Sequence, residues 1–90
     1  MNDEDLFLNY ILLEDIEKIN EYLSNDFFNA TFENNYALRF SLIENKLEIS
    51  KILMDNPKIS AIVNENWIEQ CIKEVQLKNK MKLLFNITNF

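Results

Sequence analysis

The sequence contains no glycine and no histidine, and its 90 residues include one proline and one cysteine. Without glycine the chain cannot form the glycine-rich loop that cradles phosphate groups. Without histidine it lacks the commonest general base and metal ligand at neutral pH. The lone Cys71 excludes an intramolecular disulfide, and its apolar neighbours predict a buried, unreactive thiol. We therefore expect no enzymatic activity, no cofactor and no metal site.

Long apolar runs are missing as well. No stretch approaches the roughly 18 apolar residues that a membrane-spanning helix needs, and residues 1–5 are acidic where a signal peptide is basic. Hydrophobic residues make up 48% of the sequence and charged residues 27%, which is typical of a folded globular domain. We expect one domain over residues 1–90, located in the cytoplasm of a cell or of an infected host.

Charge is distributed unevenly along the chain, whose net charge is −6. Residues 1–33 contain nine acidic residues and one lysine, a net charge of −8. Residues 73–90 contain four lysines and one glutamate, a net charge of +3. The overall negative charge repels phosphate, so we expect no direct binding to nucleic acid. The C-terminal lysines are interpreted as a solvated helix face.

The chain does contain a repeat of 31 residues. Moving forward by this interval takes Tyr22-Leu23 to Leu53-Met54 and on to Leu84-Phe85, and it takes Asn35-Tyr36 to Asn66-Trp67. Periods of about 30 to 34 residues are typical of stacked helical repeats. Each such unit buries only one face, so about three units are needed for stability. Stacks of this kind usually bind other proteins.

Apolar periodicity divides each repeat into two helices. The predicted pairs are 5–13 with 16–25, 36–44 with 47–55, and 67–74 with 77–86, the last followed by an apolar tail at Ile87 and Phe90. Asp15 is the predicted N-cap of the second helix, and Pro57 ends the fourth. In a chain without glycine, asparagine is the next choice for a left-handed residue after a helix. The predicted residues of this kind are Asn25, Asn45 and Asn56.

Residues 34–54 resemble an ankyrin repeat, and the chain is similar to the divergent ankyrin repeats of large DNA viruses. Tyr36-Ala37-Leu38-Arg39 stands where the family has Thr-Pro-Leu-His, and Asn45-Lys46 stands for its Gly-His. Leu47-Glu48-Ile49 begins the second helix, as Asp15-Ile16-Glu17 does in the first unit. The resemblance implies an all-α solenoid of about three helix-turn-helix repeats, at 4–33, 34–64 and 65–90. The sequence departs from the family in lacking the threonine-proline start, the histidine and both glycines.

The resemblance also implies that the protein binds another protein through a concave surface of helices and turns. Partner-facing positions would lie on the turn tips between repeats, at Glu33, Asn34, Asn35, Asn64, Glu65 and Asn66. They would also lie at the end of the first helix of each repeat, at Leu12, Leu13, Ile43, Glu44, Glu74 and Val75. The alternative, given equal weight, is that Leu12, Leu13 and Ile43 belong to the core.

Two other functions stay open at this point. The acidic first third of the chain would suit a small inhibitor that mimics nucleic acid and blocks a nucleic-acid-binding protein, including one of host defence. Binding of that kind weakens steeply with salt. A homo-oligomer is the other reading, in which the acidic end of one copy stacks on the basic end of the next. Such heterologous contacts can form open chains.

Overall fold

The computed structural model describes the backbone of residues 2–88 and the side chains of residues 2–81. This part of the chain is all helical and contains no strand, as predicted. The predicted apolar tail at Ile87 and Phe90 lies outside the described side chains. The helices are α1 (Asp3–Leu12), α2 (Ile16–Leu23), α3 (Phe32–Ile43), α4 (Leu47–Met54), α5 (Pro57–Ser60) and α6 (Glu65–Thr88).

The first two helices form an antiparallel hairpin whose ends are capped by side chains. Asn2 Oδ1 accepts a hydrogen bond from the Asp5 amide at 2.8 Å, and three acidic residues occupy the first turn of α1. Negative charge is favourable at this positive end of the helix dipole. Asp15 caps α2, accepting from the Lys18 amide at 3.2 Å. The predicted N-cap is therefore confirmed.

The turn of the first hairpin is repeated in the second hairpin 31 residues later. Glu14 and Asn45 are both left-handed, with φ of 55° and 58°. In each turn the next amide donates to the carbonyl five residues before it, at 2.9 Å after Glu14 and 2.8 Å after Asn45. This bond closes the helix end in the manner of a Schellman motif. The sequence period thus corresponds to a repeated local structure in the first two units.

Only one of the three asparagines predicted to be left-handed has that conformation. Asn45 confirms the prediction, but Asn25 and Asn56 do not have a positive φ. Their side chains instead accept hydrogen bonds from the amides two residues on, at 3.0 Å in both cases. Asparagine favours this local bond to the backbone as readily as the left-handed conformation. These two residues therefore begin the next segment rather than close the preceding helix.

The core extends through both hairpins and reaches the last helix. α1 packs against α2 and α3, α3 packs against α4 and α6, and α5 lies against α4. Every helix contributes at least one buried apolar side chain, and full burial of a large one stabilises a fold by about 1.5–3 kcal/mol. These side chains are Phe7, Ile11, Ile19, Phe32, Ala37, Leu38, Ile49, Leu53, Ile59, Trp67 and Cys71.

A pair of buried hydroxyl groups joins α3 to α4. The Oγ atoms of Ser41 and Ser50 lie 2.7 Å apart, and both residues are buried. The Leu38 carbonyl lies 2.7 Å from Ser41 Oγ and the Lys46 carbonyl 3.1 Å from Ser50 Oγ, so one hydroxyl donates to the other while the second donates to its carbonyl. Small side chains at this contact let the two helices approach closely, and the hydrogen bonds offset the cost of burying polar groups.

α3 begins with an unusual left-handed turn. Glu33, Asn34 and Asn35 have φ of 50°, 55° and 61°, and the right-handed helix continues from Tyr36. This confirms the turn predicted before residue 36. A left-handed conformation costs roughly 1–2 kcal/mol for each residue with a β-carbon, and asparagine is the residue that tolerates it best. Surrounding contacts must therefore hold the turn in place.

Side chains of α3 and α6 supply those contacts by bonding to the carbonyl groups of the turn. Arg39 Nη2 donates to the Glu33 carbonyl at 2.8 Å, and Trp67 Nε1 donates to the Asn34 carbonyl at 2.9 Å. Asn35 is fully buried, and its Nδ2 donates to a carbonyl of α5 at 2.8 Å. The turn is thus the junction between three helices. Trp67 thereby packs α6 on the start of α3.

The third helix pair predicted at 67–74 and 77–86 is wrong, because α6 runs unbroken from Glu65 to Thr88. Two ion pairs, one turn apart, join α6 to α3. Arg39 pairs with Glu74, and Lys78 Nζ lies 2.7 Å from Glu44 Oε1. A hairpin break between residues 74 and 78 would separate the second pair. The described chain is therefore two stacked hairpins, the short helix α5 and one long helix.

The segment between α4 and α6 contains the short helix α5. α5 starts at Pro57, whose fixed φ suits the first turn of a helix. Asn56 caps it through bonds from the Lys58 and Ile59 amides. Proline therefore both ends α4 and begins α5, and Ile59 is buried against the core as a result.

Candidate protein-binding surfaces

The turns of the two hairpins lie side by side and carry exposed apolar residues. Lys46 Nζ in the second turn lies 3.6 Å from Glu14 Oε1 in the first. Leu13 is 73% exposed and Leu47 is 62% exposed, each next in sequence to one member of this pair. We define the turn edge as Leu13 and Leu47 together with three apolar neighbours that are exposed or half-buried: Leu12, Ile16 and Ile43.

The turn edge contains three of the residues predicted to face a partner. Leu12 is 42% exposed, so neither it nor Leu13 is part of the core. Ile43, at the position equivalent to Leu12, is half-buried. Ile16 and Leu47 also share a repeat position, at the start of the second helix of each hairpin. They were not among the predicted residues, although their 31-residue spacing was a signal that could have found them.

The two predicted turn tips differ in how far their side chains are exposed. The side chains of Glu33 and Asn34 are exposed, whereas Asn35 is fully buried. The prediction that Asn35 faces a partner is therefore wrong, because its amide is used inside the junction with α5. Asn64, Glu65 and Asn66 are all exposed at the start of α6. These two tips lie at the opposite end of the first helices from the turn edge.

The remaining predicted residues are engaged in packing α6 on α3. Glu44 and Glu74 are half-buried and form ion pairs with Lys78 and Arg39. The Arg39 guanidinium also lies 5.2 Å from the ring centre of Tyr36, a cation–π contact. Glu44 and Glu74, which the sequence predicts to face a partner, are therefore engaged in intramolecular ion pairs instead.

An apolar groove lies along α6 beside α3. Its volume is about 420 Å³, and apolar side chains form nearly all of its lining. We call it the α6 groove, and it is lined by Leu42, Trp67, Ile68, Cys71, Ile72, Val75 and Gln76. Only Val75 was among the predicted site residues. Ile68 and Ile72 are 45% and 51% exposed, one turn apart on the same side of the helix.

Cys71 lies at the floor of this groove and is 6% exposed, as predicted for a buried thiol. Burial raises the pKa of the thiol, the nearby Glu74 raises it further, and Arg39 lowers it. The thiol is therefore kept protonated at neutral pH. Because the thiolate is the reactive form of cysteine, this environment does not suit a nucleophile.

The acidic residues of the first hairpin lie on its surface. Asp3, Glu4, Asp5, Glu17, Glu21 and Asp26 are all exposed. Some have local partners. The Tyr22 hydroxyl donates to Asp3 Oδ1 at 3.2 Å, and partial burial together with this carboxylate raises the pKa of Tyr22. Lys18 pairs with Glu21 at 3.4 Å, a contact that raises the pKa of Lys18.

One aromatic side chain of the α2–α3 loop is wholly exposed. Phe27 is 99% exposed, whereas the adjacent Phe28 packs on Phe7 and Tyr22 with ring centres 5.0 and 4.7 Å away. The loop borders a cavity of about 390 Å³ that extends to Asn56, Pro57 and Lys58.

Three observations bear on other kinds of site. Within residues 2–88 no helix combines the length and the apolar composition that crossing a membrane requires. Among the described residues, no three His, Cys, Asp or Glu side chains are grouped so that they could hold a metal ion. Comparison of the chain with protein-family models, with curated proteins and with solved structures finds no match.

Proposed function

We propose that this protein is a non-enzymatic interaction module that binds a partner protein through its turn edge. The observation that carries the proposal is the exposure of Leu13 and Leu47 on either side of the Glu14–Lys46 ion pair. Clusters of exposed apolar side chains with a polar rim are typical of protein interfaces. The sequence resemblance of residues 34–54 to an ankyrin repeat favours the same proposal, because repeats of that family serve as binding surfaces.

The geometry of the edge suggests which residues dominate the affinity. A few apolar anchors usually supply most of the binding energy of an interface. Leu13 is the most exposed of the edge residues, and its side chain is not needed for the core. It is therefore the residue whose replacement should weaken binding most while leaving the fold intact.

Affinity capture from a lysate tests this proposal with three forms of the protein. The wild type is compared with Leu13→Lys and with Leu77→Lys, which places the same charge at a position 59% exposed on α6. Captured proteins are identified by mass spectrometry. We expect the wild type and Leu77→Lys to retain the same protein and Leu13→Lys to lose it. Equal capture by all three forms would contradict a role for the turn edge.

A second candidate function rests on the exposed acids of the first hairpin. Glu4, Asp5, Glu17 and Asp26 all face solvent, and such a surface could imitate the phosphates of nucleic acid. The same capture at low and moderate salt, with and without nuclease, separates the two functions. A nucleic-acid-binding protein that is lost as salt rises favours the acidic mimic. A protein retained at moderate salt favours the apolar turn edge.

A further inference from the structure

The α6 groove exposes positions that are covered in the preceding unit. Thirty-one residues before Ile68 and Ile72 lie Ala37 and Ser41, which are 1% and 0% exposed. Ser41 meets Ser50 of α4, and Ala37 lies one turn earlier on the same side of α3. α4 is therefore the element next to these positions in the second hairpin. Within the described residues, no helix stands beside α6 in the same way.

The residues at these two positions also change in character from small to large and apolar. Ala37 and Ser41 let α4 approach α3 closely, whereas Ile68 and Ile72 project two branched side chains toward solvent. Together with Val75 they form a stripe at spacing i, i+4 and i+7, the pattern by which one helix packs on another. The shape and chemistry of the groove therefore match a helix as its occupant.

Charge along the free flank of α6 indicates which helix this is. Going around the helix at 3.6 residues per turn, Glu65, Glu69, Lys73 and Lys80 lie on the flank away from α3, and all four are exposed. The acids occupy the first half of this flank and the lysines the second. When two copies of a helix pack antiparallel, the flank of one copy faces the same flank of the other copy. The first half of each flank then lies beside the second half of its partner. Acid then faces lysine at both ends.

We propose that two copies of this chain pair through the α6 groove, with their α6 helices antiparallel about a two-fold axis near Ile72. A parallel pairing would set acid against acid and lysine against lysine. The isologous antiparallel contact is closed, so it makes a dimer and not the open chain expected from stacking an acidic end on a basic end. None of the turn-edge residues lines the α6 groove, so the two proposed surfaces use different side chains.

The area of the proposed contact indicates how tightly the two copies should bind. Two helices meeting over about three turns bury on the order of 1,000 Å² or less in total, at the low end for specific interfaces. We therefore expect a dimer that forms between micromolar and high micromolar concentration. The measurement is sedimentation equilibrium over that range, with helicity checked by circular dichroism.

The wild type is expected to reach twice the chain mass of 10.8 kDa as concentration rises. Ile72→Lys is expected to stay at the single mass, and Leu77→Lys, on another side of the same helix, to dimerise as the wild type does. A wild type that stays monomeric over the whole concentration range overturns the proposal. This includes the case in which the groove binds a different protein. Equal dimerisation of Ile72→Lys and the wild type also overturns it.

A charge-swap experiment tests whether the α6 flanks of the two copies pair by charge, with the helicity of each variant checked by circular dichroism. Glu65→Lys with Glu69→Lys makes the flank wholly basic, and Lys73→Glu with Lys80→Glu makes it wholly acidic. Each double variant alone should remain monomeric, and an equimolar mixture should dimerise, which only folded chains can do. A mixture that stays monomeric, or double variants that dimerise alone, overturns the proposed charge pairing. Leu13→Lys should leave dimerisation unchanged, so failure of the dimer and failure of partner binding are distinguishable.

Discussion

Glu14 and Asn45, 31 residues apart, have the same left-handed backbone conformation and close the same hydrogen-bonded turn. The equivalence shows that the repeat in the sequence is a repeat of structure in the first two units. It also shows that the turn geometry comes from packing of the paired helices, because glutamate is a poor choice for a left-handed position. The apolar residues of the turn edge flank these two turns.

Glycine at the first of these turns is expected to stabilise the fold. Glu14→Gly removes the cost of a left-handed residue with a β-carbon, so the free energy of unfolding should rise by about 1 kcal/mol. The exposed ion pair with Lys46 offsets little of this gain. Urea unfolding followed by circular dichroism measures the change. Asn25→Gly is the matched control, since φ is not positive there, and it should bring no gain.

The hydroxyl pair between α3 and α4 should behave as a coupled unit. Ser41→Ala or Ser50→Ala alone removes one member of the pair, and the remaining hydroxyl keeps only its backbone carbonyl, so each is expected to cost about 1 kcal/mol of unfolding free energy. The double variant should cost less than the sum of the two, by about 1 kcal/mol. A double-mutant cycle in urea measures this coupling. Strict additivity would show that the two hydroxyls do not interact.

The left-handed turn at the start of α3 depends on the indole of α6. Trp67→Phe keeps a buried ring but removes the hydrogen bond to the Asn34 carbonyl, so the expected loss is about 1–2 kcal/mol of unfolding free energy. Hydrogen exchange of the amides of residues 33–35 should accelerate more than that of the first hairpin. Uniform acceleration over the whole chain would argue against a local role for this bond.

Cys71 should react slowly with alkylating reagents in the folded protein. Its pKa is raised chiefly by burial, so we expect alkylation on the order of tenfold or more slower than in urea at the same pH. The raised pKa contributes stability that is fully present below the ordinary thiol pKa and is lost as pH rises through the folded pKa. Mass spectrometry of the alkylated chain, at several pH values, checks the rate, and equal rates in both states would contradict burial.

Much of the first two hairpins could be predicted from the sequence because their signals are local. Asp15 caps α2, Pro57 follows α4, and the apolar spacing of each helix reports which side is buried. The left-handed Glu14 could not be predicted, because nothing in its chemistry favours that conformation. The burial of Asn35 could not be predicted either, because it depends on a carbonyl of α5 that is distant in sequence.

In the third unit the sequence repeat does not predict the helices that the structure has. Trp67 keeps the repeat position of Tyr36, but α6 is one continuous helix that Glu74 and Lys78 hold against α3 and its C-cap. These ion pairs join residues 34 and 35 positions apart, so no local pattern reveals them. The α6 groove follows from the same fact, because its side chains are exposed where a hairpin would have covered them.

The central claim, that the turn edge binds protein, is tested most directly by photo-crosslinking in cells. A photoreactive amino acid is placed in turn at Leu13, at Leu77 and at Glu4, all exposed positions on different surfaces. We predict a specific adduct from Leu13 and no adduct of the same mass from Leu77 or Glu4. An adduct from Glu4 with none from Leu13 would contradict the claim and place binding on the acidic surface of the first hairpin.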